Sequence, residues 1–183
     1  MLRRASIDDL DAIMVLERST FTDDAWPEDA MRRELLGEHG FYLVVVDDGD
    51  PAAVLGYAGL LAAAGGGQGD IQTIAVDPGR RGHGVGRALM TTLIDEARRR
   101  GADEVFLEVR ADNPVARGLY ASLGFLEIGV RRRYYRGGID AIHMKLDVPP
   151  AVAAPAASSV GGLVPGVPPA AEAGVDVTEG PEG

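Results

Sequence analysis

A single α/β domain is the fold this sequence predicts: an α+β mixed sheet, mostly antiparallel with one central parallel strand pair, flanked by helices. Three observations carry it. Helical and strand periodicities alternate across residues 1–148. An amphipathic helix pattern at 84–100 separates two strand-like runs, 71–76 and 104–110, and a helical crossover returns the chain parallel to its first strand. The runs 41–46 and 53–61 are joined by Asp47-Asp48-Gly49-Asp50-Pro51, whose turn residues fold them into an antiparallel hairpin.

In chain order, residues 8–21 form a helix in which Leu10, Ile13, Met14 and Leu16 to Glu17 lay an apolar stripe on one side. Residues 27–36 form a second helix, with Pro27 suited to its first position. After the hairpin, the glycine-rich 65–69 reads as a pliable loop leading into the strand 71–76. In the helix 84–100, Val85, Ala88, Leu89, Thr92, Leu93 and Ala97 share one face, three closing arginines complement the dipole, and Gly101 ends it. The strand 104–110 alternates Phe106, Glu108 and Arg110 on one face with Leu107 and Val109 on the other. Asn113-Pro114 is a cap followed by a favoured first residue, opening a short helix that Arg117-Gly118 weakens and Gly124 stops. The strands 125–133 and 139–146 finish the domain, joined around 134–138.

From residue 149 the composition changes. Of the last 35 residues 21 are Ala, Pro or Gly and none is basic, so little apolar surface is available to offset the entropy of ordering. The domain is expected to end at 148, with 149–183 a disordered acidic tail. The absence of cysteine excludes disulfides, thiolate metal sites and a cysteine nucleophile; with His39, His83 and His143 far apart, no metal is expected. No apolar run is long enough to cross a bilayer and the N-terminus lacks a secretion signal's apolar core, so a cytoplasmic protein with no membrane partner is expected. A net charge of -10 argues against direct nucleic-acid binding. The arginines cluster nonetheless, at 80, 81 and 87, 98–100 and 131–133, which suggests a basic region for an anionic ligand on an acidic body. A monomer or weak dimer is the expected state.

Residues 71–93, IQTIAVDPGRRGHGVGRALMTTL, carry the most chemistry. A β-branched strand breaks at Asp77-Pro78, passes through a basic glycine-spaced loop and opens a helix. Gly82, Gly84 and Gly86 remove side chains where a backbone can approach an anion, and the helix aims its unpaired N–H groups and positive dipole end at the same point. Arg80 and Arg81 add mobile positive charge. Two nucleotide fingerprints fail: Arg87 stands where the dinucleotide motif needs its third glycine, and no G-x-x-x-x-G-K-[S/T] is present. The plain alternative is a tight strand-to-helix turn with no ligand.

The R-x-x-G-x-G set of Arg81, Gly84 and Gly86, following IAVDP, resembles the acyl-CoA signature of the GNAT N-acetyltransferase family. LEVRADN (107–113), LYASLGF (119–125) and RRRYY (131–135) are similar, in the same order, to blocks of its RimI-like branch, which acetylates ribosomal-protein alanine termini. The resemblance spans most of residues 1–148. It implies the acyl-CoA N-acyltransferase fold, acetyl-CoA as co-substrate without a metal, and a protein N-terminal amine as acceptor, foremost the alanine of small-subunit ribosomal protein eighteen. It further implies that Ile74, Ala75, Val76, Arg81, Gly82, His83, Gly84, Val85, Gly86, Arg87 and Asn113 contact the cofactor, with the Val76 N–H polarising the thioester carbonyl. Glu108 is then the general base, Tyr120 the acid for the departing thiolate, and Trp26, Tyr134 and Tyr135 border the acceptor.

Each assignment has a plainer rival. Glu108 alone is an ordinary solvated glutamate; Tyr120 shares core spacing with Ala116, Leu119 and Leu123; Asn113 caps its helix; Trp26 suits a core anchor; Arg131 to Arg133 suit a solvated face. An N-acetyltransferase with these residues works by direct transfer in a ternary complex, since no cysteine is available to carry the acyl group. Two other functions share the features: an acetyltransferase of the same fold for lysine or a small amine, and a non-catalytic acyl-CoA-binding sensor.

Overall fold

The computed structural model describes residues 1–149. Its elements in chain order are β1 (Leu2–Arg4), α1 (Leu10–Thr20), α2 (Glu28–Leu36), β2 (Gly40–Val46), β3 (Val54–Leu61), β4 (Gly67–Val76), α3 (Val85–Arg99), β5 (Ala102–Arg110), α4 (Pro114–Ser122), β6 (Leu126–Tyr135) and β7 (Ile139–Asp147). The seven strands form one sheet in the order β1-β2-β3-β4-β5-β7-β6. Every neighbouring pair is antiparallel except β4 and β5, the pair that α3 connects. The expected mixed sheet with one central parallel pair is therefore present.

Alternation along the strands divides the core in two. Phe41 and Leu43 of β2 join Ala58, Leu60, Leu89, Met90, Leu93, Leu107, Val109 and Met144 under α3 and α4. Tyr42, Val44 and Val46 face the other way and join Leu10, Ile13, Met14, Met31 and Tyr57 under α1 and α2. The first of these layers extends to Val148, which is 2% exposed and whose N–H bonds Asp103 O at 2.7 Å.

Several elements differ from the sequence expectation, each for a local reason. The first helix is a 3-10 turn, Ile7–Asp9, running into α1; Ser6 and Asp9 cap it reciprocally. Pro27 is the N-cap of α2 in extended geometry, φ -61° and ψ 142°, rather than its first helical residue. The glycine stretch at 65–69 is not all loop: β4 begins at Gly67, pairing Gly67 with Ala102 and Gly69 with Val105. Gly69 is small for packing, since a Cβ there would stand 3.2 Å from Leu60 and 3.5 Å from Ala97. The buried face of α3 is Leu89, Met90, Leu93, Ile94 and Ala97, leaving Ala88 exposed; the helix lies turned toward Met90 and Ile94 relative to the expected stripe. Phe125 precedes β6, buried at 2% with its N–H on Tyr120 O. Tyr134 and Tyr135 belong to β6, which reaches them through a register shift with Arg133 at φ 54°, so the turn is 136–138. The strand β1, pairing with Val45 to Leu43, is too short to give a period and was not expected.

One feature of the sheet positions everything that follows. Pairing of β4 with β5 runs only from Gly67–Ala102 to Ile71–Leu107, yet β4 continues to Val76 and β5 to Arg110. Beyond that point the two strands diverge, and the opening between them has backbone polar groups along its edges.

Candidate active site

One cavity, about 750 Å³, lies where β4 runs out into α3; Ile74, Ala75, Val76, Arg81, Gly82, Gly84, Val85, Gly86, Arg87 and Asn113 line it. Gly82 and Gly84 have φ of 77° and 81°, and a Cβ at either would meet nothing within 4 Å. The loop is thus left-handed and open, leaving room for a bulky anion against its backbone. The early N–H groups of α3 follow directly, since the first bond into the helix is Ala88 N–H to Gly84 O. Gly86 has another role: its Cβ would stand 3.3 Å from Leu119 Cδ2, so it lets α3 approach α4. The arginines are anchored rather than mobile. Arg81 Nε donates to Val76 O at 3.1 Å, Arg87 donates to Ser122 Oγ at 2.6 Å, and Arg80 lies 3.6 Å from Asp47. His83 lines neither cavity described here; its ring Nδ1 lies 2.9 Å from Arg81 O.

Asp77 N–H bonds Leu55 O at 2.9 Å. Because successive residues of a strand point their backbone groups to opposite edges, the Val76 N–H and C=O face away from β3, into the opening. The Val76 carbonyl accepts from Arg81 there; its N–H is the donor this edge presents. Ala75 turns its side chain into the α1 core, 3% exposed, and meets the cavity through its backbone.

A second cavity, about 830 Å³, lies on the other face of the opening, with Glu108, Trp26, Tyr134 and Tyr135 in its wall. Glu108 points into it from β5, as the alternation requires, and Arg131 Nη1 lies 2.6 Å from its Oε1. Arg131 is therefore not simply solvated; Arg132 and Arg133 are exposed. The Glu108 carboxylate raises the Tyr134 phenol pKa by its charge. Burial, then Glu108, pushes Tyr135 up to about 12. Tyr134 and Tyr135 meet edge to face, ring centroids 5.1 Å apart. Trp26 packs against the α1 core and lines the cavity.

The two cavities share Phe21, Ile74, Arg110, Asn113, Ala116 and Tyr120. Tyr120, 5% exposed, also packs edge to face on Phe125, so it belongs to the core and to the junction at once. Burial raises its phenol above the ordinary value, keeping it protonated. Asn113 caps α4, its Oδ1 accepting from Ala116 N–H at 3.0 Å, and lines both cavities as well.

The sequence reading missed several members of the site. Glu17 is 0% exposed and accepts the Trp26 N–H at 2.8 Å; it also bonds Tyr57 Oη, which lies 3.1 Å from Thr73 Oγ1. The sequence places it at the end of the first helix's apolar stripe but gives it no part in the site. Asp70, Arg110 and His143 line the second cavity, and His143 is Glu108's register partner on β7. Strand alternation was the signal available for Arg110, two residues from Glu108; for His143 no local signal exists.

Comparison with known proteins places this geometry. The family model for the acetyltransferase (GNAT) family matches residues 10–125. N-alpha-acetyltransferase RimI of Mycobacterium tuberculosis is 43% identical over 136 residues, 72% of this chain and 82% of that protein. A putative ribosomal protein bS18-alanine N-acetyltransferase of Bacillus subtilis is 34% identical over 145 residues, 78% of this chain and 92% of that protein. The crystal structure of a ribosomal-protein-alanine N-acetyltransferase from Escherichia coli superimposes with a TM-score of 0.71 at 33% identity, over 81% of this chain and 93% of that one.

Proposed function

Because the chain belongs to the acetyltransferase (GNAT) family, we propose that it transfers acetyl from acetyl-CoA to a protein N-terminal amine, foremost the alanine of small-subunit ribosomal protein eighteen. The observation that carries this reading is the meeting of two cavities at Tyr120 and Asn113, with an anion cradle in one and Glu108 in the other. The residues present fit the donor: a left-handed glycine loop with open space at Gly82 and Gly84, and the start of α3 beside it, suit a pyrophosphate. Gly82, Gly84, Val85 and Arg87 would hold that group, and Ile74 to Val76 would run beside its pantetheine arm. Bound there, acetyl-CoA supplies an acetyl group activated as a thioester.

The protein's own residues do the rest. The Val76 N–H, aimed into the opening, stabilises negative charge developing on the acetyl oxygen. An α-amine has a pKa of about 7.7 to 8.0, so a large part arrives protonated near neutral pH and must lose that proton. The Glu108 carboxylate accepts it; Arg131, 2.6 Å away, keeps the carboxylate oriented. Tyr120 Oη, a phenol that holds its proton at neutral pH and lies at the junction, supplies the proton that the leaving sulfur takes up. Trp26, Tyr134 and Tyr135 orient the acceptor's first residues. Among the described residues no helix is long and apolar enough to cross a membrane.

Purified protein with acetyl-CoA is offered peptides beginning Ala-Arg, the same peptides blocked at the N-terminus, and free polyamines. The expected result is acetylation of the free N-terminus alone. Modification confined to lysines of the blocked peptide, or to polyamines, overturns the N-terminal assignment. Binding of acetyl-CoA with no transfer to any acceptor favours a sensor instead.

A further inference from the structure

The cavity that holds Glu108 has two walls from distant parts of the chain. One is the segment 21–27 between α1 and α2; the other is the end of β6, which runs on into the turn 136–138. We propose that Asp24 is a positioning residue for the acceptor, a single carboxylate that ties these two walls together and fixes the width of the slot between them. The inference rests on the acceptor reading given above and extends it to a residue that reading does not use.

Asp24 Oδ1 accepts the Arg136 N–H at 3.1 Å, and its Oδ2 accepts Arg110 Nη1 at 2.9 Å. One carboxylate thereby joins the 21–27 segment to the far turn and to the end of β5, two residues beyond Glu108. The guanidinium has little freedom of its own. Its Nε and Nη2 each bond Asp112 at 3.0 Å, and it stacks over Tyr135 at 5.3 Å. The Asp24 side chain is 20% exposed and Arg110 30%, so the pair is partly shielded from solvent.

The other end of the 21–27 segment is fixed independently. Trp26 N–H is held by Glu17, itself buried in the α1 core. With Trp26 pinned to the core and Asp24 pinned to the opposite wall, the segment cannot shift without breaking bonds at both ends. Loss of the Asp24 bonds leaves Trp26 in place but frees the tip, and the wall that carries Tyr135 loses its brace. The glycine loop and Val76 lie on the other face of the opening and hold none of these contacts. Arg110 lines both cavities but keeps its two bonds to Asp112 without Asp24, so the larger damage should fall on acceptor binding.

The test compares wild type, Asp24→Asn and Asp24→Ala on whichever acceptor the wild type turns over, so that failure of the acceptor assignment is seen first and separately. The expected result for Asp24→Ala is a rise of roughly tenfold or more in acceptor KM, with kcat and acetyl-CoA KM each within about threefold of wild type. Asp24→Asn keeps the shape and an acceptor oxygen for Arg136 N–H but loses the charge facing Arg110, so a smaller rise in the same direction is expected. Turnover on the lysine of an N-terminally blocked peptide, relative to the preferred acceptor, should increase in Asp24→Ala as the slot widens. An unchanged acceptor KM in both variants overturns the proposal. So does a parallel rise in acetyl-CoA KM with a lower melting temperature, which would make Asp24 a general structural residue; should Asp24→Ala not fold, Asp24→Asn alone decides between these outcomes.

Discussion

Glu108 lines one cavity and Tyr120 the junction of the two, in different electrostatic settings, and their substitutions separate accordingly. Glu108 lies in a cavity beside a cation and two tyrosines, whereas Tyr120 is buried against Phe125. Replacing Glu108 with Gln should leave acetyl-CoA affinity unchanged while turnover falls about 10²-fold or more, the usual share of a general base. Unchanged turnover removes Glu108 from that role. For Tyr120 the pH dependence is informative: burial raises its phenol above the ordinary value of 10.0, so it keeps its proton through that pH. The kcat profile should show no decline from Tyr120 below pH 10, and Tyr120→Phe should lower kcat while preserving the shape of that profile. A drop in melting temperature with no change in kcat would leave Tyr120 only its packing role.

The strand-loop-helix unit from β4 to α3 uses its glycines for two different purposes, and substitution can tell them apart. Gly84 sits at φ 81° in open space, so alanine there meets backbone strain and no clash, about 1–2 kcal/mol. The expected outcome of Gly84→Ala is weaker acetyl-CoA binding by calorimetry. Gly86 faces Leu119 at 3.3 Å, so Gly86→Ala presses α3 away from α4 and should lower the melting temperature as well as donor affinity. An equal effect of both on stability would show that the loop geometry, not the anion cradle, is what Gly84 serves. The sequence motif lists the two glycines side by side; only the neighbours across space distinguish them.

For the whole molecule, two buried acids should give opposite contributions to stability against pH. Arg3, bonded to Asp9, and the Ser6 N–H hold the Asp9 carboxyl below its ordinary value of 3.8 despite burial. A lowered acid stabilises the fold above its unfolded pKa and loses that contribution as pH falls through the folded value, so Asp9→Asn should cost stability at neutral pH and little in strong acid. Glu17 is raised above 4.5 by burial, with the Trp26 and Tyr57 bonds opposing. Its native state binds more protons than its unfolded state, so its contribution is complete below 4.5 and declines as pH rises through the folded value. Denaturant titrations across pH should show the stability of wild type relative to Glu17→Gln falling from pH 4.5 upward; a difference independent of pH would contradict this. We also propose that the folded unit ends at Val148, on the strength of its burial and its bond to Asp103. The expected Ala/Pro/Gly-rich tail at 149–183 lies outside the described residues but for Pro149. Deletion of 150–183 should leave melting temperature and peptide turnover unchanged.

The sequence by itself determined the mixed sheet, the parallel crossover through α3, the glycine cradle and the face from which Glu108 points, because periodicity, capping and turn chemistry are local. Family membership was legible for the same reason: its motifs are short runs that fold as units. Only the tertiary structure decided how Arg131 meets Glu108, how Asp24 reaches Arg110 and Arg136, and why Glu17 is buried under Trp26. Those contacts join residues 23, 86, 112 and 9 positions apart, as the charges on each partner alone do not reveal. The divergence of β4 from β5 belongs to the same class, since pairing stops within both strands where neither sequence shows a break. That opening, which no local pattern encodes, sets the place where the two cavities meet.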